Sequence, residues 1–233
     1  MNADARTAVL VGASRGLGLG LVAELAGRGW NVIATARQPA RAQKLQELST
    51  ARSGQIEIEA MDVDREADID AFVQRLTRRR LHLVFLNAGI SGPQGRTAAD
   101  ATRAEVADIL WTNALAPIRI AERLLPQVVE GGTVAFMSSI LGSVAQNTSG
   151  GYDLYRISKA SLNVLSRSFA AAHAKRSGIT VLSLHPGWVR TDMGGPDAPV
   201  GIEESVRGLA NVLESRHGRD HFYLDYQGQK LPW

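Results

Sequence analysis

The chain has no cysteine. Disulfide staples, thiolate nucleophiles and cysteine zinc sites are therefore excluded together, and a reducing compartment is compatible with the composition. Long apolar runs are missing as well, since none approaches the ~18 residues a membrane-spanning helix requires. The start, MNADARTAVLVG, carries Asp4 and Arg6 and passes straight into an apolar stretch, unlike a signal peptide's basic start and long apolar region. The expectation is a cytoplasmic protein without membrane contact. Charge of one sign is also scarce: 26 Lys and Arg against 23 Asp and Glu leave a formal +3, too little to point to nucleic acid. The run RRR at 78–80 reads as the basic end of a helix, where cations complement the terminal carbonyls. Repeats, low-complexity tracts and long linkers are absent, so the 233 residues form one expected domain, 1–233. His217 and His221 are spaced HxxxH, but the intervening Gly218, Arg219 and Asp220 favour a turn and supply no glutamate, so no metal site is expected.

What the chain does contain is a regular alternation. Short apolar runs at 7–13, 31–36, 56–62, 81–87, 133–139, 179–185 and 221–225 are strand candidates. Between them, segments 16–29, 40–51, 65–79, 101–126, 153–176 and 201–214 place apolar residues at helical spacing. Strands alternating with helices predict an α/β, doubly wound (Rossmann) fold: a seven-stranded parallel sheet with helices on both faces and ligands at the carboxyl ends of its strands.

Directly after the first strand comes GASRGLG, with glycines at 12, 16 and 18. Such a turn opens a helix whose unpaired N–H groups and dipole favour a phosphate, and its glycines let a pyrophosphate approach the backbone. The same letters spell GxSxG, the elbow of serine esterases, with Ser14 as nucleophile and Asp153 and His185 available downstream. Against that reading, an esterase elbow normally follows several strands, whereas Gly12 ends the first. Arg37 stands just past the second strand, where an acidic residue would suit NAD and an arginine suits a 2′-phosphate; Arg15 adds a second positive charge. NADP(H) is therefore expected over NAD(H).

The stretch YRISK sets Tyr155 and Lys159 at i and i+4, one above the other on a helix face. A nearby cation favours the phenolate and moves a tyrosine toward acid–base work. Alone, the five residues also suit an ordinary solvated face. Taken in order, however, GASRGLG, Asp62, LNAG (86–89), Asn113, the serine pair 138–139, YRISK and PGWVRTDM (186–193) resemble the short-chain dehydrogenase/reductase superfamily over essentially the whole chain. Segments 137–163 and 184–195 and the terminal LPW are similar to the carbonyl reductases of the sniffer and C-signal type.

The resemblance implies an NADPH-dependent reductase in which Tyr155 protonates a substrate carbonyl oxygen while hydride arrives from the nicotinamide. Lys159 would lower the tyrosine's pKa and hold the nicotinamide ribose, Ser139 would polarise the carbonyl, and Asn113 would hold a relay water. Gly12, Ser14, Arg15, Gly16, Leu17 and Gly18 would cradle the cofactor phosphates, with Arg37 at the 2′-phosphate and Asp62 and Val63 at the adenine. Asn87, Ala88 and Gly89 would line the adenine ribose, and Pro186, Gly187, Val189 and Thr191 the nicotinamide and its phosphate. In this chain the gap from Ser139 to Tyr155 is longer than the family's usual one. Its insert, QNTSGG at 146–151, is expected to form a loop at the site's rim, and Ser143 competes with Ser139. Leu86 replaces the first asparagine of the commoner two-asparagine motif and extends the strand.

In the family that this chain resembles, the region after Thr191 covers the substrate; its short, Gly- and Pro-rich form here, up to Gly201, implies an open site for aldehydes, ketones or quinones, with Trp188 and Met193 as apolar contacts or packing residues. In relatives the segments matching 101–126 and 153–176 make a dimer interface, so the resemblance implies a homodimer, with a tetramer as the larger possibility; the alternative is that their apolar faces are used up by their own sheet. Two other classes stand beside the reductase: a non-catalytic NADP(H)-binding sensor, and the esterase.

Overall fold

A computed structural model of the chain describes residues 6–215 and 217–233. Seven strands form one sheet: β1 (Thr7–Val11), β2 (Asn31–Ala36), β3 (Ile56–Ala60), β4 (Leu81–Leu86), β5 (Val128–Met137), β6 (Thr180–His185) and β7 (His221–Asp225). Every neighbouring pair is parallel, in the order β3-β2-β1-β4-β5-β6-β7. The helices are α1 (Gly16–Gly27), α2 (Gln43–Ala51), α3 (Glu66–Arg75), α4 (Arg103–Leu110), α5 (Ala116–Leu124), α6 (Asp153–Ser177) and α7 (Ile202–Glu214).

Parallel strands covered on both faces must be apolar on both, and β1, β2 and β4 are buried nearly throughout. Their alternate residues feed two separate cores. Ala8, Leu10, Leu83 and Phe85 pack with α1 and α7, through Leu21, Leu25 and Leu209. Val9, Val11, Val84 and Leu86 pack on the other face with Phe72, Ile120, Leu162 and Phe169 from α3, α5 and α6. The chain winds outward from β1 to β3, then crosses back to β4 on the other side of β1. A crevice therefore opens between the carboxyl ends of β1 and β4, where Val11 and Leu86 are in register.

Three segments depart most from the sequence expectation. The segment 101–126 is not one regular helix: α4 and α5 are joined by a π-turn over Trp111–Leu115. Pro117 lacks the N–H that the Asn113 carbonyl would receive in an α-helix, and the ladder widens there. β5 begins at Val128 rather than Thr133, with a register shift opposite Leu81 and Leu83 where Gly131 takes a φ of 79°. At the other end, β5 stops at Met137, so Ser138 and Ser139 lie beyond it. Finally, α3 ends at Arg75, so the run 78–80 lies past the helix, where Arg79 pairs with Glu57 at 2.6 Å. Among the described residues, no helix is long and apolar enough to cross a membrane.

Candidate active site

At the end of β1 the backbone turns sharply. Gly12 takes a φ of 85°, and a Cβ there would stand 2.7 Å from the Cα of Ala88. On Gly18 a Cβ would lie 2.2 Å from the Gly12 oxygen and 2.7 Å from Nδ2 of Asn87. Only glycine permits this contact between the first loop and the loop after β4, which the Asn87 amide closes by donating to the Gly12 oxygen at 2.6 Å. Gly16, with φ 56°, opens α1, and a Cβ on it would be 3.8 Å from Thr191. Neither a capping side chain nor an acidic residue occupies the first turn of α1, so its N–H groups and dipole are left to an anion. Ser14 and Arg15 are exposed there, and Arg37 is exposed past β2. The turn, the bare helix end and the nearby cations fit a dinucleotide's phosphates.

Asp62 is half-buried and accepts the N–H of Asp64 at 3.2 Å, while Val63 is buried beside it. Ala88 takes part in the crossing with Gly12, and Gly89 lies against two other expected residues. A Cβ on Gly89 would be 3.1 Å from Oδ1 of Asn113 and 3.6 Å from Nζ of Lys159. The π-turn presents the Asn113 amide to the backbone of Ile90, accepting its N–H and donating to its oxygen, each at 2.8 Å; the same amide donates to Ser158 at 3.0 Å.

Lys159 is buried on α6, its Nζ donating to the Met137 oxygen at 2.8 Å and standing 5.6 Å from the centre of the Tyr155 ring. Ser139, just past β5, stands near enough to the Tyr155 hydroxyl to favour its charged form. Ser143 instead accepts the N–H of Gln146 at 3.2 Å and so shapes the following turn. Burial pushes Tyr155 up to about 12, against a smaller opposing effect of Ser139. Burial likewise brings Lys159 down to about 8. The tyrosine thus shifts opposite to the sequence expectation, because desolvation of its phenolate outweighs the lowering by Ser139, and Tyr223 adds to the rise. Tyr155 is a neutral phenol at neutral pH with or without this shift, and so is in the form that can give a proton.

The segment after β6 completes the crevice. Ser205 donates to the Pro186 oxygen at 2.6 Å, Gly187 takes a φ of 85°, and Val189 is buried and bridged to Val200. The Thr191 hydroxyl accepts the N–H of Gly194 at 3.2 Å. Trp188 donates its indole N–H to the Gly194 oxygen, yet it and Met193 remain 57% and 52% exposed.

The esterase chain is not assembled. Asp153 accepts the N–H of Ala98, and His185, lowered to about 4 chiefly by burial, is instead near Asp225. The HxxxH histidines also have separate partners, His217 the Val212 oxygen and His221 the hydroxyl of Ser183. Three contributors escaped the sequence reading. Ser158 braces Asn113, Tyr223 donates to the Ser139 oxygen from β7, and Asp192 pairs with Arg15 at 2.9 Å. All three act across long sequence separations that periodicity does not encode.

Comparison with known proteins decides the family, since the short chain dehydrogenase model matches residues 6–199. The chain belongs to the short-chain dehydrogenase family. It is 40% identical to C-signal of Myxococcus xanthus over 169 residues, 70% of this chain and 99% of that one. A short-chain dehydrogenase/reductase of Burkholderia multivorans with bound NADP superposes with a TM-score of 0.94 at 42% identity, covering 98% of this chain and 100% of that one. The carbonyl reductase Sniffer of D. melanogaster superposes at 0.90 with 31% identity over the same shares. The two structural relatives each cover 98% of this chain, and the family is one of oxidoreductases.

Proposed function

We propose that the chain is an NADPH-dependent carbonyl reductase acting on aldehydes, ketones or quinones. The observation carrying this reading is the joining of Tyr155, Ser139 and Lys159 beside a glycine turn suited to a dinucleotide. Bound there, the coenzyme supplies hydride. Tyr155, a neutral phenol at working pH, donates its proton to the carbonyl oxygen, and Ser139 donates a hydrogen bond to that oxygen, stabilising the charge that develops on it. Lys159 has used one of its three donors on Met137 and retains others for a ribose hydroxyl. Asn113 holds the loop carrying Gly89 against Lys159, and its place in the π-turn supports its expected role in the proton relay. Arg15 and Arg37 favour the 2′-phosphate of NADP(H); the NADP-bound Burkholderia relative supports the same choice.

Exposed Leu115, Ile157 and Val164 on the helical surface support a homodimer, which light scattering would measure. The test of the activity is NADPH oxidation with an aromatic ortho-quinone and an aromatic aldehyde. Tyr155→Phe should lose about 10²–10⁴-fold in kcat while NADPH affinity changes less than twofold. Full turnover by Tyr155→Phe would overturn the reading. Tight NADPH binding with no turnover by either protein would favour the sensor.

A further inference from the structure

The insert between Ser143 and Tyr155 is built around one side chain. Arg156 is 8% exposed although charged. Its Nε donates to the Gly151 oxygen at 2.8 Å, and Nη2 donates to the Gly150 oxygen at 3.1 Å and to the Ser149 hydroxyl at 3.2 Å. The planar fork gathers successive loop groups to one point, a geometry the single ammonium of lysine does not offer. To reach it, Gly150, Gly151 and Tyr152 take φ values of 64°, 72° and 56°, three left-handed residues in succession. Tyr152 is the only non-glycine with positive φ among the described residues. For a tyrosine this backbone is strained, and such strain persists only where surrounding contacts enforce it. Here they include the Arg156 N–H, which donates to the Tyr152 oxygen at 2.8 Å.

Despite that constraint the Tyr152 ring is 75% exposed. It caps α6 one turn before Tyr155, between two anchors. Arg156 ties down the insert, and Asp153 accepts the N–H of Ala98 at 2.9 Å, fastening the loop that follows β4. Other large apolar side chains are exposed in the loops at this same end of the sheet: Ile90, Val144, Trp188 and Met193. Exposed apolar groups on the loops that flank polar reacting groups are the usual make-up of a ligand mouth.

We propose that Arg156 and the left-handed run 150–152 set the Tyr152 ring as a wall of the substrate mouth, and that this wall selects flat aromatic carbonyl compounds over small aliphatic ones. Tyr152 is the specificity residue and Arg156 its positioning residue. The inference rests on the reductase reading, so the experiment compares two substrates with the same reacting group: a tricyclic aromatic ortho-quinone and 2,3-butanedione, both with NADPH.

Tyr152→Gly suits the left-handed backbone and should fold without loss of thermal stability. It should raise KM for the quinone about tenfold, the scale of a lost ring–ring contact, with kcat within about twofold and kcat/KM for butanedione unchanged. Tyr152→Phe should keep wild-type selectivity, and Arg156→Lys should reproduce the quinone-selective KM loss. A Tyr152→Gly protein with unchanged quinone KM, or with equal losses on both substrates, overturns the wall while leaving the reductase standing. A wild-type protein that turns over neither substrate sinks the reductase reading and the wall with it.

Discussion

Replacing Lys159 by methionine separates the cost of a buried charge from its use. The ammonium titrates at about 8 in the fold against 10.5 ordinarily, because burial strips it of water. At about 1.4 kcal/mol per pH unit, holding that proton costs the folded chain roughly 3 kcal/mol at neutral pH. Between about pH 8 and 10.5 the unfolded chain binds the proton and the folded chain does not, so stability rises with pH across that window. Below it the cost is fully present. Lys159→Met keeps the stem and removes the charge, but it strands the Met137 oxygen now held at 2.8 Å, returning about 1 kcal/mol. The net expectation at pH 7 is a cofactor-free variant more stable by about 2 kcal/mol, or roughly 5 °C in Tm, with no reductase activity. Thermal unfolding followed by circular dichroism at pH 7 and pH 10 would measure this, and the gap should close at the higher pH. A variant that melts below wild type at pH 7, or a gap independent of pH, would refute the reasoning.

Gly18→Ala drives a methyl group to 2.2 Å from the Gly12 oxygen, so the glycine turn must open; NADPH affinity should fall at least about tenfold in a fluorescence titration, and undiminished affinity would refute the cradle. Asp192→Asn releases Arg15 from an exposed ion pair. NADPH should then bind about twofold to threefold more tightly at low salt, with the gain vanishing at high ionic strength; weaker binding at low salt would mean that Asp192 aids the coenzyme rather than competing with it. Ser139→Ala should lower kcat about 10²–10³-fold while Ser143→Ala stays within a few-fold, and the reverse pattern would transfer the carbonyl contact to Ser143.

The fold was legible because a parallel sheet covered on both faces demands near-continuous apolar strands, and β1, β2 and β4 satisfy that demand within a few residues. Glycine positions were legible for a similar reason: at Gly12 and Gly18 a backbone crossing forbids any side chain. Two kinds of feature were not. One is the effect of a fixed covalent detail on a regular element, as where Pro117 interrupts the ladder and brings Asn113 into a π-turn within an otherwise periodic helix. The other is the balance of opposing forces on a buried group. The i, i+4 spacing of Tyr155 and Lys159 shows that they are neighbours, but only depth in the fold shows that desolvation raises the phenol rather than letting the ammonium lower it. Arg156 combines both limits. In YRISK it resembles a solvated charge on a helix face, yet the glycine pair at 150 and 151 lets the chain fold back onto its guanidinium. The strongest local signal there was the glycine pair itself, which marks where backbone freedom is needed without naming the side chain that uses it. The motifs therefore located the chemistry, whereas the rim that would choose the substrate depends on contacts that only the folded chain creates.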